Sequence, residues 1–349
     1  MELCAFDGEQ DDRETLDKFV KSLSVIQQRH VNVVQTLAQG VLELRETHTV
    51  DAQTENSVQY FLDRFYMSRI STRMLTNQHA TLFEREEIAE GAPPAVVQPN
   101  MIGILNTECK IKDLVEQAFK NASFLCEEYY KCSPDMDITL KNSIDQKAAI
   151  EICYPPPHLY HILFEVFKNA LRATVENKKK GQFELPDVEV LISRGADDVC
   201  IKISDQGGGI PRQVTDNLFT YLYSTAPRPS MQATKAPLAG YGYGLPLSRL
   251  YARYFHGDLV LNSYEGWGTD AVIYLQGNMD KAVELLPLFN KTSTRNYKAT
   301  IPAADWTNPA STMNRLYHPA VAGNKSGPST PRVTVPKAIS SINSPLVAT

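Results

Sequence analysis

The first third of the chain carries apolar residues at helical spacing. Leu16, Phe19, Val20, Leu23 and Ile26 fall on one stripe, and Val58, Phe61, Leu62 and Phe65 on another, the recurrence a core-facing helix requires. Asp51 stands where an N-cap for the second stripe belongs, with Glu55 in the first turn. Residues 13–132 therefore read as helical, interrupted from Gly91 to Pro99 by three prolines. Long amphipathic helices joined by short turns predict a bundle. Near residue 135 the period changes. Ile150–Cys153, Val188–Ser193, Val199–Ser204, Asp258–Ser263 and Ala271–Leu275 read as strands, and 156–177 and 244–256 as helices between them. That order predicts an α/β sandwich with a mixed sheet. The fold class is thus α+β, with a helical bundle over 1–132, an α/β domain over 133–306 and a tail over 307–349. The tail, rich in Pro, Ser, Thr and Asn and without periodicity, reads as largely disordered.

Composition adds limits. The 349 residues are 43% hydrophobic, enough for two cores. A net charge of −5 gives no ground for a nucleic-acid partner or an anionic membrane surface, and no apolar run is long enough to span a bilayer. The six cysteines never fall as CxxC, so neither a zinc site nor a disulfide framework is suggested and a reducing compartment fits. The first twenty residues are acidic, so no Arg-rich import presequence is visible.

Four constellations carry candidate chemistry. On the 156–177 helix, Glu165, Lys168, Asn169 and Arg172 fall at i, i+3, i+4 and i+7 and share a face, with His161 one turn before Glu165. An amide oxygen can hold a metal, cations can meet phosphates, and a carboxylate can take a proton; a solvated, ion-paired face is the plainer alternative. The second is Ser204-Asp205-Gln206-Gly207-Gly208-Gly209 directly after a strand. Its glycines allow a ligand close approach, and Asp205 can accept from an exocyclic amine such as adenine's; an ordinary strand-exit turn would look similar. The third, Gly240-Tyr241-Gly242-Tyr243-Gly244-Leu245, opens a helix after the polar, Pro-rich stretch 226–237, which reads as a mobile lid. Glycine amides at a helix start suit an anion. A dinucleotide-binding reading is disfavoured because a loop, not a strand, precedes the motif. Gly266-Trp267-Gly268-Thr269 adds a hydroxyl at the start of the last strand.

In order, Asn169, the DxGxG run from Asp205 to Gly209, the glycine loop at 240–244 and Gly268-Thr269 resemble the four nucleotide boxes of the GHKL ATPases, which include gyrase, MutL and bacterial histidine kinases. FLDRFYMSRISTRML (61–75), LYSTAPRP (222–229) and GYGYGLPLSRLYARYF (240–255) are similar to one branch, the mitochondrial 2-oxoacid dehydrogenase kinases, over about residues 15–306. Asp305-Trp306 resembles a C-terminal pair of the pyruvate branch.

The resemblance implies a GHKL-type sandwich and an ATP- and Mg2+-dependent kinase that phosphorylates and inactivates the decarboxylase (E1 alpha) subunit of pyruvate dehydrogenase, regulating glucose oxidation. It implies Glu165 as general base tuned by His161, and Asn169 on Mg2+. Lys168 and Arg172 would lie near the phosphates, and Asp205 and Thr269 at adenine. Gly207, Gly209, Ser224, Thr225, Gly240, Tyr241, Gly242, Tyr243, Gly244 and Leu245 would line the nucleotide. It further implies a matrix homodimer through the sheet domain, with Trp306 on an arm reaching the partner, and a groove for the lipoyl domain of the E2 core. His30 and Arg69 resemble residues of a pocket for pyruvate-like inhibitors, a polar contact between helices being the alternative.

Three departures stand out. Gln206 replaces a common Arg, 307–349 differ from the family's end, and the chain starts within the family's helical domain, which predicts a shortened form with weak lipoyl-domain binding. Rival readings are a branched-chain 2-oxoacid dehydrogenase kinase and a catalytically weak ATP-binding scaffold. A histidine kinase is disfavoured, since no acid follows His79, which reads as a packing residue.

Overall fold

The computed structural model describes residues 12–48, 51–83, 100–178, 184–225, 242–278 and 284–285. Residues 1–11 of the acidic start, the prolines at 93–99, the stretch 226–237, Gly240, Tyr241, Asp305-Trp306 and the tail 307–349 lie outside them.

Helices α1 (Asp12–Arg29), α2 (Val33–Thr47) and α3 (Ala52–Phe83) form the first part. The Asp51 carboxylate caps α3 by accepting the Thr54 N–H at 2.8 Å, as its position before the apolar stripe predicts. Val20 and Leu23 of α1 are buried, and its Phe19 meets His79 of α3 edge-on at 5.0 Å. His79 also lies 4.7 Å from Phe83, so it packs among rings as expected.

The helical reading of 13–132 needs correction between residues 101 and 110. There the chain forms β1 (Met101–Ile102) and β2 (Leu105–Lys110), an antiparallel pair, before α4 (Ile111–Tyr130) begins. The reason is tertiary. β2 pairs with β4 (Glu151–Tyr154), a partner no local window contains. The Gln78 side chain of α3 clamps the β1–β2 turn, accepting from Ile104 N–H at 2.8 Å and donating to the Ile102 carbonyl at 2.9 Å.

The second sheet holds five strands in the order β3 (Met136–Asn142), β5 (Val188–Arg194), β6 (Asp198–Asp205), β8 (Gly268–Gln276), β7 (Asp258–Tyr264). Only β3 and β5 run parallel, so the sheet is mixed as predicted. The edge strand β3 was not anticipated; its outward positions are polar or exposed, which blurs the alternation. Val190 pairs with Ile203 and Ile192 with Ile201, building one apolar face. Against this core lies α5 (Pro156–Glu176), burying Leu159, Ile162, Leu163, Val166, Phe167, Ala170 and Leu171. Outside α5 packs α4, with Phe119 edge-on to Phe167 at 5.4 Å. A single turn, α6 (Arg212–Thr215), and α7 (Gly244–Tyr254) complete the described elements. No described helix is long and apolar enough to cross a membrane.

Phe167 is fully buried whereas Phe124 on α4 is 70% exposed. Phe167→Ala should lose about 3–5 kcal/mol in urea unfolding, and Phe124→Ala should stay within about 0.5 kcal/mol. Equal effects would mean that α5 does not anchor the core.

Candidate active site

Helix α5 runs beneath the site. The line of α5 through Glu165 and Asn169 continues to Ala173 and, at the helix C-cap, to Asn177, each four residues on. At one end, a β-carbon on Gly244 would collide with the Glu165 Oε2, so the first residue of α7 sits against that carboxylate. At the other end, a β-carbon on Gly207 would collide with Ala173, and Asn177 donates to the Gln206 carbonyl at 3.1 Å. Eight residues of helix separate Glu165 from Ala173, about 12 Å at the usual rise.

Asp205 ends β6 at the far end of this track. Its Oδ1 accepts the N–H groups of Gly207 at 2.8 Å and Thr269 at 3.3 Å. Among the described residues both bonds fall on that one oxygen. Burial pushes the carboxyl up to about 6, against the lowering pull of the two N–H donors. Thr269 is buried, and its hydroxyl shares a 2.8 Å bond with Ser263. Ser263 in turn accepts the Ile210 N–H at 2.7 Å, tying the glycine run to the β7–β8 hairpin. Gly209 adopts φ +70° with its α-carbon pressed on the Tyr264 carbonyl, a place only glycine fits.

Near α7 the charges are paired. Lys168 meets Glu165 at 2.7 Å and lies over the Phe164 ring at 5.0 Å. Arg172 is engaged elsewhere, bonding Glu176 at 2.9 Å, and the Tyr130 hydroxyl donates to that same Glu176 oxygen at 2.7 Å. Burial holds the His161 imidazole below its ordinary range, with Glu165 pulling the other way. Its Nε2 has no hydrogen bond, and its ring lies 5.1 Å from Tyr251. Asn169 is exposed one turn from Glu165. The N-cap residue Tyr243 supplies no side-chain cap to α7, leaving the first-turn amides of Gly244 and Leu245 without an intrahelical acceptor.

The structure thus brings Glu165, His161, Lys168, Asn169, Gly244 and Leu245 to one end, and Asp205, Gly207, Gly209 and Thr269 to the other. Ser224 and Thr225 are exposed at the close of the segment that ends at 225, and Gly242 reappears just before Tyr243. Ser263, Ala173 and Asn177 went unrecognised. The four-residue repeat from Glu165 could have exposed the last two; Ser263 becomes visible only through its cross-strand pairing with Thr269. Apart from this track, a cavity of about 250 Å³ opens between α3 and α7, lined by Arg69, Arg73, Tyr66 and Tyr251 among others. Arg69 donates to the His30 backbone carbonyl at 2.6 Å, while the His30 residue itself is exposed.

A mixed sheet covered by helices, with glycine runs at two strand and helix ends facing one polar helix stripe, defines a GHKL-type ATPase. Residues 155–278 match the family described as "Histidine kinase-, DNA gyrase B-, and HSP90-like ATPase", and residues 1–106 match "Mitochondrial branched-chain alpha-ketoacid dehydrogenase kinase". A Drosophila melanogaster protein named pyruvate dehydrogenase (acetyl-transferring) kinase, mitochondrial, is 54% identical over 300 residues, covering 84% of this chain and 71% of the relative. An Ascaris suum protein of the same name is 48% identical over 309 residues, 88% of this chain and 74% of the relative. The Homo sapiens isozyme 3 is 47% identical over 313 residues, 89% and 75%. The chain belongs to the mitochondrial pyruvate dehydrogenase kinase family.

The raised Asp205 carboxyl has a pH signature. Its folded value, about 6, exceeds the ordinary 3.8, so the folded state holds the proton that the unfolded chain releases. The stability of the unmodified chain relative to Asp205→Asn should therefore fall as pH rises from about 4 to about 6, then level off. Urea unfolding across that window reads it, and a difference independent of pH would contradict the burial argument.

Proposed function

We propose that this chain is an ATP-dependent protein-serine kinase that phosphorylates, and thereby inactivates, the E1 alpha subunit of pyruvate dehydrogenase in the mitochondrial matrix, so regulating glucose oxidation. The observation that carries the reading is the continuous track along α5, with the Glu165 carboxylate against Gly244 at one end and Asp205 beside Gly207 at the other. The family match supports the class, and the pyruvate-named relatives support this substrate over the branched-chain alternative.

On this reading the adenine amine donates to the open oxygen of Asp205, with Thr269 beside it. Gly207 and Gly209 let the base approach, and Ser224, Thr225, Gly242 and Tyr243, with Gly240 and Tyr241, flank the nucleotide. The amides of Gly244 and Leu245 and the α7 N-terminus receive the phosphates. Lys168, now held by Glu165, gains a second anion when phosphates arrive, which loosens its grip on the carboxylate. Glu165 can then accept the substrate serine proton as the serine oxygen attacks the terminal phosphorus, the bond from that phosphorus to the bridging oxygen breaks, and ADP leaves. His161, kept neutral by burial, shields that carboxylate from water without cancelling its charge. Arg172 orders the helix end through Glu176 and contributes charge to the phosphate region. A Mg2+ ion fits Asn169, since this cation favours one or two protein oxygens together with substrate phosphates; when bound it would neutralise charge on the phosphate chain.

The outward face of the five-stranded sheet carries Leu191, Cys200, Val260 and Tyr274 interleaved with Glu189, Lys202 and Ser204, and this mixed face is the candidate surface for the homodimer. The helical part is the docking candidate for the lipoyl domain of E2, and the Arg69–Arg73 cavity the candidate regulatory pocket.

Labelled ATP offered with both the pyruvate and the branched-chain decarboxylase subunits should label serines on the pyruvate one; labelling of the branched-chain subunit alone would reverse the assignment. Glu165→Gln should cut phosphoryl transfer by about 10²–10⁴ while ATP still binds, and a parallel loss of binding would give Glu165 a role in the metal or the fold instead. Tyr274→Asp should shift the protein toward monomers in sedimentation; an unchanged dimer would move the interface off the sheet.

A further inference from the structure

Two residues ahead of α7, and at the end of the turn that follows α6, the chain takes an unusual shape. Leu222 is a non-glycine residue in the left-handed region, at φ +66°, and its N–H donates to the Gly242 carbonyl at 3.1 Å. Gly242, at φ +69°, lies so close to the Leu222–Tyr223 backbone that a β-carbon would collide with it. Leucine does not adopt this conformation unaided, so neighbouring groups must impose it.

Those groups come from α3, far away in sequence. The Gln59 amide pairs with the Tyr221 backbone on both sides: its Oε1 accepts the Tyr221 N–H at 2.8 Å and its Nε2 donates to the Tyr221 carbonyl at 3.3 Å. The second Nε2 proton goes to Glu55 at 3.0 Å, and Glu55 is paired with Arg45 of α2, which fixes the direction of the amide. One turn along α3, Asp63 accepts the Tyr221 hydroxyl at 2.9 Å. Burial raises the Asp63 carboxyl, and the Tyr221 hydroxyl and the charges of Arg253 and Arg249 work the other way. Three residues on, the fully buried Tyr66 packs against Tyr221 at 5.6 Å and against Tyr243 at 5.8 Å, and Tyr221 and Tyr243 lie 5.3 Å apart. Tyr243 is the residue before Gly244, which sits against Glu165.

We propose that Gln59, Asp63 and Tyr66 are positioning residues for phosphoryl transfer: a clasp through which α3 holds Tyr221 and Tyr243, and through them the first turn of α7, in register with Glu165. None of the three touches the nucleotide or the reacting atoms. Their effect passes through the bent backbone at Leu222 and Gly242, so a change on a bundle helix alters nucleotide affinity. The proposal rests on the α5 track being the nucleotide site.

The test is ADP titration by calorimetry, with melting curves taken with and without ADP. Asp63→Ala and Tyr221→Phe should each weaken ADP about five- to tenfold, the usual worth of one such hydrogen bond. The double variant should lose no more than either single one, because both remove the same bond. Asp63→Asn, which keeps an acceptor facing the Tyr221 hydroxyl, should recover most of the loss. If the unmodified chain binds no ADP, the nucleotide-site reading falls and the clasp with it. If the unmodified chain binds ADP and the variants bind it as tightly, only the clasp falls. Lower melting temperatures without ADP, at unchanged ADP affinity, would make these residues purely structural and would also overturn it. Additive losses in the double variant would show that the two groups act separately, again against the proposal.

Discussion

Everything in the site hangs on the way α5 is buried. Leu159, Ile162, Leu163, Val166, Phe167, Ala170 and Leu171 are taken up by the sheet and by α4, at roughly 1.5–3 kcal/mol for each large side chain removed from water. Such burial fixes the rotation of the helix about its axis. Once it is fixed, the stripe through Glu165, Asn169, Ala173 and Asn177 has only one direction to face. A rotation of one residue, about 100°, would bury Glu165 in the core without a partner. The apolar face thus sets the position of the polar one.

A rail alone holds nothing, and two other elements must come within contact distance of it. They do so where side chains are missing. Gly207 lies against Ala173 and Gly244 against Glu165, each so close that a β-carbon has no room. Rigidity at these points comes from neighbours rather than from the glycines. Asp205 and Ser263 bind the amides of the first loop, and the β7–β8 hairpin is tied back to it by the Gly266 N–H to the Gly208 carbonyl at 2.8 Å. At the second point, Asp258 draws Arg249 and Arg253 together at 2.9 and 3.0 Å. Burial alone would raise the Asp258 carboxyl, yet the two guanidiniums hold it below its ordinary range, which marks the network as one formed with the charges in place. It anchors the flank of α7 to β7, and Arg249 lies over Phe219 at 4.4 Å.

Much of this was legible in the order of residues. The alternating runs from Val188 to Ser193 and from Val199 to Ser204 became β5 and β6 within a residue or so, because both lie inside one sheet and carry a dyad pattern strong enough to survive any context. Asp51 as a cap, His79 as a packing residue and the shared face of Glu165 and Asn169 were likewise local facts. What escaped was non-local. β2 depends on β4 and β3 on β5, and neither partnership leaves a mark in a short window. In the site, spacing shows that Arg172 shares a face with Glu165 but not which groups it meets. Its engagement with Glu176 and Tyr130 depends on where α4 ends. Cross-strand positions such as Ser263 depend on register, which sequence does not display.

At the Glu165 end of the track, electrostatics accounts for a buried His161 whose Nε2 finds no hydrogen bond. A charged imidazole one turn from Glu165 would compete with Lys168 for the carboxylate and bring a second positive charge into a confined space. Burial between α5 and Tyr251 removes that option by holding the ring neutral. His158, one turn earlier and 4.6 Å from the same tyrosine, is pushed down to about 4 by burial, with the charges of His161 and Arg73 acting in the same direction. His161 meets the Tyr251 ring edge-on and His158 meets it at a tilt, so two buried imidazoles share one phenol ring. Lys168 is therefore the cation paired with Glu165 at this end, at 2.7 Å. A side chain that can move toward an incoming anion can release the Glu165 carboxylate at the same moment. A charged histidine fixed against that ring could not do that.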